Sequence, residues 1–570
     1  MKRYFAEIII AFIVIAFALR LNFFAFISSA IRKWLNSAPK HKQEKPSVVY
    51  FILIVFLLST FTFLLIYKVD EIPIPYHADE AGMAYDAKSL AEYGVDRFLY
   101  KNPVYFINFG GGMNALYTYL AVPAIKTFGY NVVSVRLPAI ILSLVSAMFL
   151  TYVIQKEYGN IASVFMMLLF CCIPFSIMHS RWGLESYLFF PMMVISSCFL
   201  HRAVRINKIW MYFITGISFG ITLYSYAISY VFIPLFLGVI CLYLLFIHHI
   251  KWTELIALCI PLFLLAIPLL LLLAVNYGFI DEIRTPYISI PKLPVFRHND
   301  IGIGNVLKNL KLNKNNIFYR TLIYDFNPSN VIIKFGTFYY FTLPIIFWGF
   351  ILCTKRSIGQ LKNKKTSLDM MMVWLFLSAF MVSLTLDGIN VNRACEMYIP
   401  LFYFLCIGIL AMYQNRKPAA FAACGLILCL SASFLHYYFV EYPNDMPKIG
   451  ILNSVDDFRS ALLYADNIDK EKPVTIINGD RPQPYIYTLL ALNIDPYTFN
   501  EGKNQIGEWV LDFNKYHFRI NFPYEEYTTD SIYIFMELNE IPENIDTYGF
   551  TCKDINAIRV CYRQDSYKSE

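Results

Sequence analysis

Over 570 residues, 57% of the chain is hydrophobic, only 16% is charged, and the mean hydropathy is +0.49. Soluble globular chains run near about 45–50% apolar and about 25% charged, so an ordinary water-soluble protein is excluded. The net charge of +7 is dispersed over loops rather than gathered in a patch, which argues against a nucleic-acid partner.

The apolar excess falls in blocks of roughly 20 residues, the length of a helix that crosses about 30 Å of hydrocarbon. Twelve spans are predicted: 6–28, 47–68, 131–155, 160–178, 184–201, 209–225, 228–248, 253–275, 336–353, 369–386, 396–413 and 418–438. Lys and Arg in the short loops orient them. One set of loops carries twelve cations: Lys156; Arg202, Arg205 and Lys208; Lys251; Lys355, Arg356, Lys362, Lys364 and Lys365; Arg416 and Lys417. The alternate loops 179–183, 226–227 and 387–395 carry two, Arg181 and Arg393. The first set is therefore assigned to the cytoplasm, with the basic stretch 29–46.

This parity decides how segment 112–129 is read. It is nearly apolar enough to span, but a crossing there would move all twelve cations outside, so it is expected to lie at the interface. The first span is interrupted by Arg20 and preceded by Lys2 and Arg3. An external N-terminus or a non-spanning hairpin fits these charges better than a cleaved signal peptide, which would expose 31–46 outside.

Three segments then lie outside: loop 69–130, loop 276–335 and the tail after about 440. In the tail, short apolar runs (Pro473–Asn478, Ser531–Leu538, Ala557–Val560) alternate with polar stretches punctuated by Asn, Asp and Pro. That pattern and length suit a small α/β domain. The expected organisation is an extra N-terminal helix and basic loop (1–46), a transmembrane domain (47–440) and an extracytoplasmic α/β domain (441–570).

The external loops hold the residues that can do chemistry. His77-Ala78-Asp79-Glu80 follows the second span, and carboxylates at the exit of a spanning helix can accept a hydroxyl proton or hold a cation. The plainer reading is helix capping by Asp79, with Glu80 at the positive end of the dipole; both readings can hold together. In Ser180-Arg181-Trp182-Gly183-Leu184-Glu185, Arg181 and Glu185 are spaced to pair across one helical turn. The alternative is a second carboxylate in a cleft, with Trp182 as a platform for a sugar ring. Arg393, in the loop before the eleventh span, suits a phosphate because its planar fork binds two oxygens; snorkelling to headgroups is the plainer reading. Arg284, Lys292, Arg297, Lys308, Lys311, Lys314 and Arg320 make loop 276–335 basic, which suits an anionic substrate or anionic headgroups. Tyr224, Tyr226 and Tyr230 cluster at one external turn, and Tyr339 and Tyr340 open the ninth span. Such aromatics belong to an interfacial belt or to a sugar site.

Phosphate-loop, serine-hydrolase elbow and zincin motifs are absent from the sequence. Most of the 12 cysteines sit in apolar runs, where a thiol behaves as a small hydrophobe. Cys552 and Cys561 lie in polar sequence and flank a run that suits a hairpin. Outside the cell they are either a disulfide or two free thiols.

HADEAGMAYDAKSLAEYGVDRF, GGGMNALYTYL…FGYNVVSVRLPA, IPFSIMHSRWGLES, YSYAISYVFIP, FGTFYYFTLP and NVNRACEMYIP occur in that order. In order and sidedness this resembles the GT-C superfamily of polytopic glycosyltransferases, of the protein O-mannosyltransferase and aminoarabinose-transferase type, over roughly residues 47–440. The resemblance implies a helical membrane protein of about 12 spans using a polyprenyl-phosphate-linked sugar, with an extracytoplasmic acceptor that is a protein, glycolipid or cell-wall polymer. It implies Asp79 as catalytic carboxylate, Arg393 and Arg181 as phosphate ligands, and Glu80 and Glu185 as ligands of sugar hydroxyls or a cation. Tyr339 and Tyr340 join them as candidate substrate contacts. Relatives differ in divalent-cation use, and no His/carboxylate cluster here nominates metal ligands. The competing class is a transporter or flippase of a lipid-linked or anionic substrate. Against it stand few ionisable groups within the spans and no repeated half.

Overall fold

In hydrocarbon only a helix or a closed barrel satisfies its own backbone, and the long apolar blocks of this chain fold as helices. A computed structural model describes residues 46–563 apart from 110, 297–302, 326–329, 446–454, 479–483, 507–508, 523–529, 537–540, 543–544, 546–548 and 556–557. The expected span 6–28 and the N-terminal segment 1–46 fall outside the described residues, save Pro46. Among those described, nine helices are long and apolar enough to cross a membrane by length and composition. Expected spans 160–178 and 209–225 fold as the shorter apolar helices Asn160–Cys172 and Ile209–Thr222. The chain divides into two compact units.

The first unit comprises the described parts of Met1–Val69, Ala139–Ala266 and His298–Glu441. It opens with α1 (Val48–Ile66), capped by the Ser47 hydroxyl, which accepts the Tyr50 amide. Helices Leu343–Lys362 and Tyr398–Asn415 pack at close range because a glycine on each faces the other's backbone. A Cβ at Gly349 would fall on the Phe404 carbonyl, and one at Gly408 would lie 2.6 Å from the Ile345 carbonyl. Small residues play this part where lipid supplies no hydrophobic drive between helices. Beside the 363–367 turn, Asp369 binds Arg356 Nη1 at 2.9 Å and accepts the Tyr403 and Tyr158 hydroxyls at 2.7 and 3.1 Å. This buried acid is neutralised and fully hydrogen-bonded, as burial requires.

The second unit comprises Asp70–Pro138, Ile267–Arg297 and the described residues from Tyr442 onward. Its loop 69–130 contains α2 (Ala78–Tyr93) and α3 (Ala115–Phe128), which pack together. With 14 residues, α3 is about 21 Å long, short of the roughly 30 Å of a bilayer core. α4 (Val132–Tyr158) begins here and continues into the first unit.

Among the described residues, the tail forms a seven-stranded mixed sheet. Its strands are β1 (Val474–Ile477), β2 (Lys503–Ile506), β3 (Trp509–Phe513), β4 (Tyr516–Arg519), β5 (Ile532–Phe535), β6 (Phe550–Ile555) and β7 (Ile558–Arg563), in the order β6-β7-β5-β1-β4-β3-β2. β1 runs parallel to β4 and β5; the other neighbours are antiparallel. VTII of β1 and IYIF of β5 are buried at every position, which explains their unbroken apolar runs at the middle of the sheet. Helix Val455–Ile468 buries Phe458, Ala461, Leu462 and Ala465, one face of a 3.6-residue period. Cys552 and Cys561 stand directly opposite in the β6–β7 hairpin and are joined by a disulfide, which decides between the two states the sequence left open.

Candidate functional site

α2 places the first acidic pair. Its alanine-rich sequence favours helix. The His77 ring accepts the Asp79 amide at 3.4 Å as N-cap, and Gly94 ends the helix in the left-handed region at φ 73°. The capping residue is thus His77, not Asp79. Asp79 and Glu80 share the first turn, where the helix dipole favours negative charge.

The two carboxylates then diverge. The Asp79 side chain is 49% exposed, and its Oδ1 accepts Asn108 Nδ2 at 3.2 Å. Glu80 is fully buried. Its oxygens receive Arg136 Nε at 2.7 Å and Nη2 at 2.8 Å, and Oε2 also accepts the Tyr76 amide at 2.8 Å. Arg136 in turn donates to the Pro73 carbonyl at 2.9 Å. Glu80, expected to meet substrate, is therefore spent on tying the Tyr76 loop and α2 to the start of α4. Burial, with Glu80's charge added, pushes the Tyr76 phenol up to about 12 although a bond to Tyr130 opposes the rise.

Within the first unit, Arg181 is also fully buried. It donates to the Leu64 carbonyl and, at 2.7 Å, to the Tyr67 carbonyl, and it lies 4.9 Å from the Phe439 ring centroid. It thus satisfies carbonyls at the C-terminal end of α1, a place that favours a cation. Residues 180–184 form a turn and an extended stretch, and Glu185 begins helix Glu185–Ile206. The two residues therefore do not share a helix. Trp182 is 2% exposed and packs with Leu184 and Tyr187, so it offers no open face to a sugar.

Arg393 stands in the short helix Asn392–Met397, partly exposed. Its amide bonds the Asn390 side chain at 2.9 Å and its Nη1 bonds the Asp387 carbonyl. Tyr226 lies at the turn before helix Ser229–Phe246, where burial above all pushes its phenol up, with Arg393 opposing the rise and Glu185 and Glu396 adding to it. Tyr339 is buried, its hydroxyl donating to the Cys172 carbonyl at 2.7 Å, and Tyr340 donates to the Ile333 carbonyl. The Tyr224 hydroxyl donates to the Leu265 carbonyl at 2.7 Å. These three hydroxyls serve the backbone.

Sequence reasoning missed Arg136, Asp86, Arg97, Asn108 and the buried Glu396. Arg136 carried a signal, a lone charge near the start of an apolar span. Asp86 and Arg97 lay inside a quoted segment without a stated partner. Asn108 carried none. Among the described residues, no group of three or more His, Cys, Asp or Glu is placed to hold a metal ion.

Among the described residues, nine helices long and apolar enough to cross a membrane, a C-terminal sheet domain and an acidic helix start in the first long loop make up a multi-pass helical membrane fold similar to that of solved structures. ArnT from Cupriavidus metallidurans bound to undecaprenyl phosphate aligns at 12% identity over 91% of this chain and 99% of that one, with a TM-score of 0.50. The same protein in the apo state aligns at 12% over the same shares with a TM-score of 0.43. The Archaeoglobus fulgidus oligosaccharyltransferase tethered with an acceptor peptide aligns at 11% over 78% of this chain and 63% of that one, with a TM-score of 0.44. No family model matches the sequence, and a search of curated proteins gives no match. At such identity the likeness is one of fold.

Proposed function

We propose that this chain is a membrane glycosyltransferase that moves a sugar from a polyprenyl-phosphate carrier to the hydroxyl of an extracytoplasmic acceptor. The observation that carries the reading is the division of labour at α2. Glu80 is buried and neutralised by Arg136, whereas Asp79 keeps an exposed carboxylate at the positive end of the helix. The fold likeness to an ArnT bound to undecaprenyl phosphate supports a lipid-phosphate donor.

In this reading Asp79 takes the proton of the acceptor hydroxyl as its oxygen bonds to the anomeric carbon from the face opposite the leaving group. The bond from that carbon to the phosphate oxygen breaks with its electron pair, and polyprenyl phosphate leaves. Arg393 binds the phosphate, and Glu185 positions sugar hydroxyls. Glu80, Arg181, Tyr339 and Tyr340 act one step removed, by fixing backbone that carries the reacting groups. The sheet domain lies on the extracytoplasmic side and takes part in acceptor recognition.

The test is release of polyprenyl phosphate by the purified, reconstituted protein from undecaprenyl-phosphate glucose, mannose and 4-amino-arabinose. Wild type turns over one of the three, and Asp79→Asn loses about 10²- to 10⁴-fold. Undiminished turnover in the variant would remove Asp79 as the base. Flux of the lipid-linked sugar across the bilayer with no turnover would mark a transporter.

A further inference from the structure

The Asp79 carboxylate is joined to the sheet domain through side chains alone. We propose that Tyr485, Arg97 and Asn108 form a hydrogen-bonded chain that positions Asp79, so that the sheet domain helps set the geometry of the reacting group. The inference rests on Asp79 being the proton acceptor.

Arg97 is the fixed point. It is fully buried and donates to Asp86 through Nε at 2.9 Å, Nη2 at 2.7 Å and its own amide at 3.0 Å. Burial works against its charge, but Asp86 and Tyr485 outweigh that and hold it protonated. Its Nη1 donates to the Tyr485 hydroxyl at 3.2 Å, and its carbonyl accepts Asn500 Nδ2 at 2.6 Å. Tyr485 opens helix Tyr485–Ala491 of the sheet domain and stacks on Phe499 with ring centroids 5.5 Å apart. Both ends of the guanidinium are therefore anchored.

A guanidinium only donates, so the Asn108 atom facing Arg97 Nη2 at 3.2 Å is the carbonyl oxygen. The Asn108 amino group must then point the other way, and it donates to Asp79 Oδ1 at 3.2 Å. Arg97 thus fixes which way round the amide stands, and the amide presents a donor to the carboxylate. Asn108 is 5% exposed, while Asp79 is half open. Gly82 completes the device. A Cβ there would collide with Asn108 Oδ1 and lie 2.7 Å from Arg97 Nη2, so the third residue after Asp79 must lack a side chain for the chain to pass.

Asn108→Asp tests the positioning, because a carboxylate still accepts from Arg97 but repels Asp79 instead of donating to it. In the undecaprenyl-phosphate sugar assay above, kcat should fall about ten- to a hundredfold, with the donor KM unchanged. Asn108→Ala, which removes the donor without adding charge, is measured beside it and should fall in the same sense. Tyr485→Phe, at the far end, should lower kcat a few-fold on the same reasoning. Wild-type kcat in folded Asn108→Asp or Asn108→Ala would overturn the chain while leaving Asp79 as base. Wild-type kcat in Tyr485→Phe would remove the sheet domain from it. Undiminished turnover in Asp79→Asn would instead defeat the underlying reading. A turnover-free measurement covers a protein inactive on these donors: carbodiimide labelling of Asp79, read by peptide mass spectrometry, should quicken in Asn108→Ala, and an unchanged rate would overturn the contact.

Discussion

Asp79 and Glu80 are adjacent in sequence and alike in chemistry, yet the fold gives one to solvent and the other to Arg136. The difference is a helical one. One residue is a turn of about 100°, enough to swing one carboxylate from an open face into the core. A buried ion pair is costly to halve, because the remaining charge has no partner. Arg136→Met should therefore destabilise the purified protein by about 3–5 kcal/mol, read as a lower melting temperature in detergent. Glu80→Leu combined with Arg136→Met should recover part of that loss; a double variant no more stable than the single would show that the pair's stranded charge is not the cost. Lys503 gives a residue-scale dependence on pH. Burial pulls its ammonium down to about 8 from 10.5, against the pull of Asp96, while it donates to Asn500 Oδ1 at 2.7 Å and lies 4.4 Å from the Phe98 ring centroid. Between about 8 and 10.5 the unfolded chain binds a proton there that the folded chain does not, so stability rises with pH across that window. The melting temperature of wild type relative to Lys503→Met should climb from about pH 8 to about pH 10.5 and be flat below it.

At the scale of elements, two glycines set the approach of helices Leu343–Lys362 and Tyr398–Asn415. The obstruction a side chain would meet is backbone, which cannot step aside by changing rotamer. Gly349→Ala should cost about 1–3 kcal/mol by overpacking, whereas Gly359→Ala on the same helix, with open space around it, should be neutral or slightly stabilising because alanine is the better helix former. The β6–β7 hairpin gives a smaller expectation. The disulfide links residues nine apart that strand pairing already holds together. Replacing both cysteines by serine should therefore cost at most about 2 kcal/mol, seen as a loss of the melting-temperature difference between oxidised and reduced protein.

At the scale of the molecule, the alternation of basic and neutral loops predicts a sidedness that a labelling experiment can read. A cysteine at the exposed Ser460, on helix Val455–Ile468, should react with a membrane-impermeant maleimide in intact cells, and one at the exposed Asn363 only after lysis. The reverse pattern would invert the topology and place Asp79 in the cytoplasm. The positions of the described apolar helices were legible in the sequence by themselves, because hydrocarbon leaves a long apolar stretch almost no other structure than a helix; so were the apolar runs of three tail strands, β1, β5 and β7, and the acidic start of α2. What the tertiary structure decided was which polar residues are consumed. Glu80, Arg181 and Trp182 read as substrate contacts until Arg136, the carbonyls of Leu64 and Tyr67, and the Leu184–Tyr187 cluster were seen to occupy them. Asn108, unmarked in sequence, donates to Asp79 from 29 residues along the chain, and Arg97 in turn holds Asn108. Local pattern reports the burial of an apolar face, since burial follows periodicity; it does not report the partner of a buried charge, since that partner is supplied by whatever element the fold brings alongside.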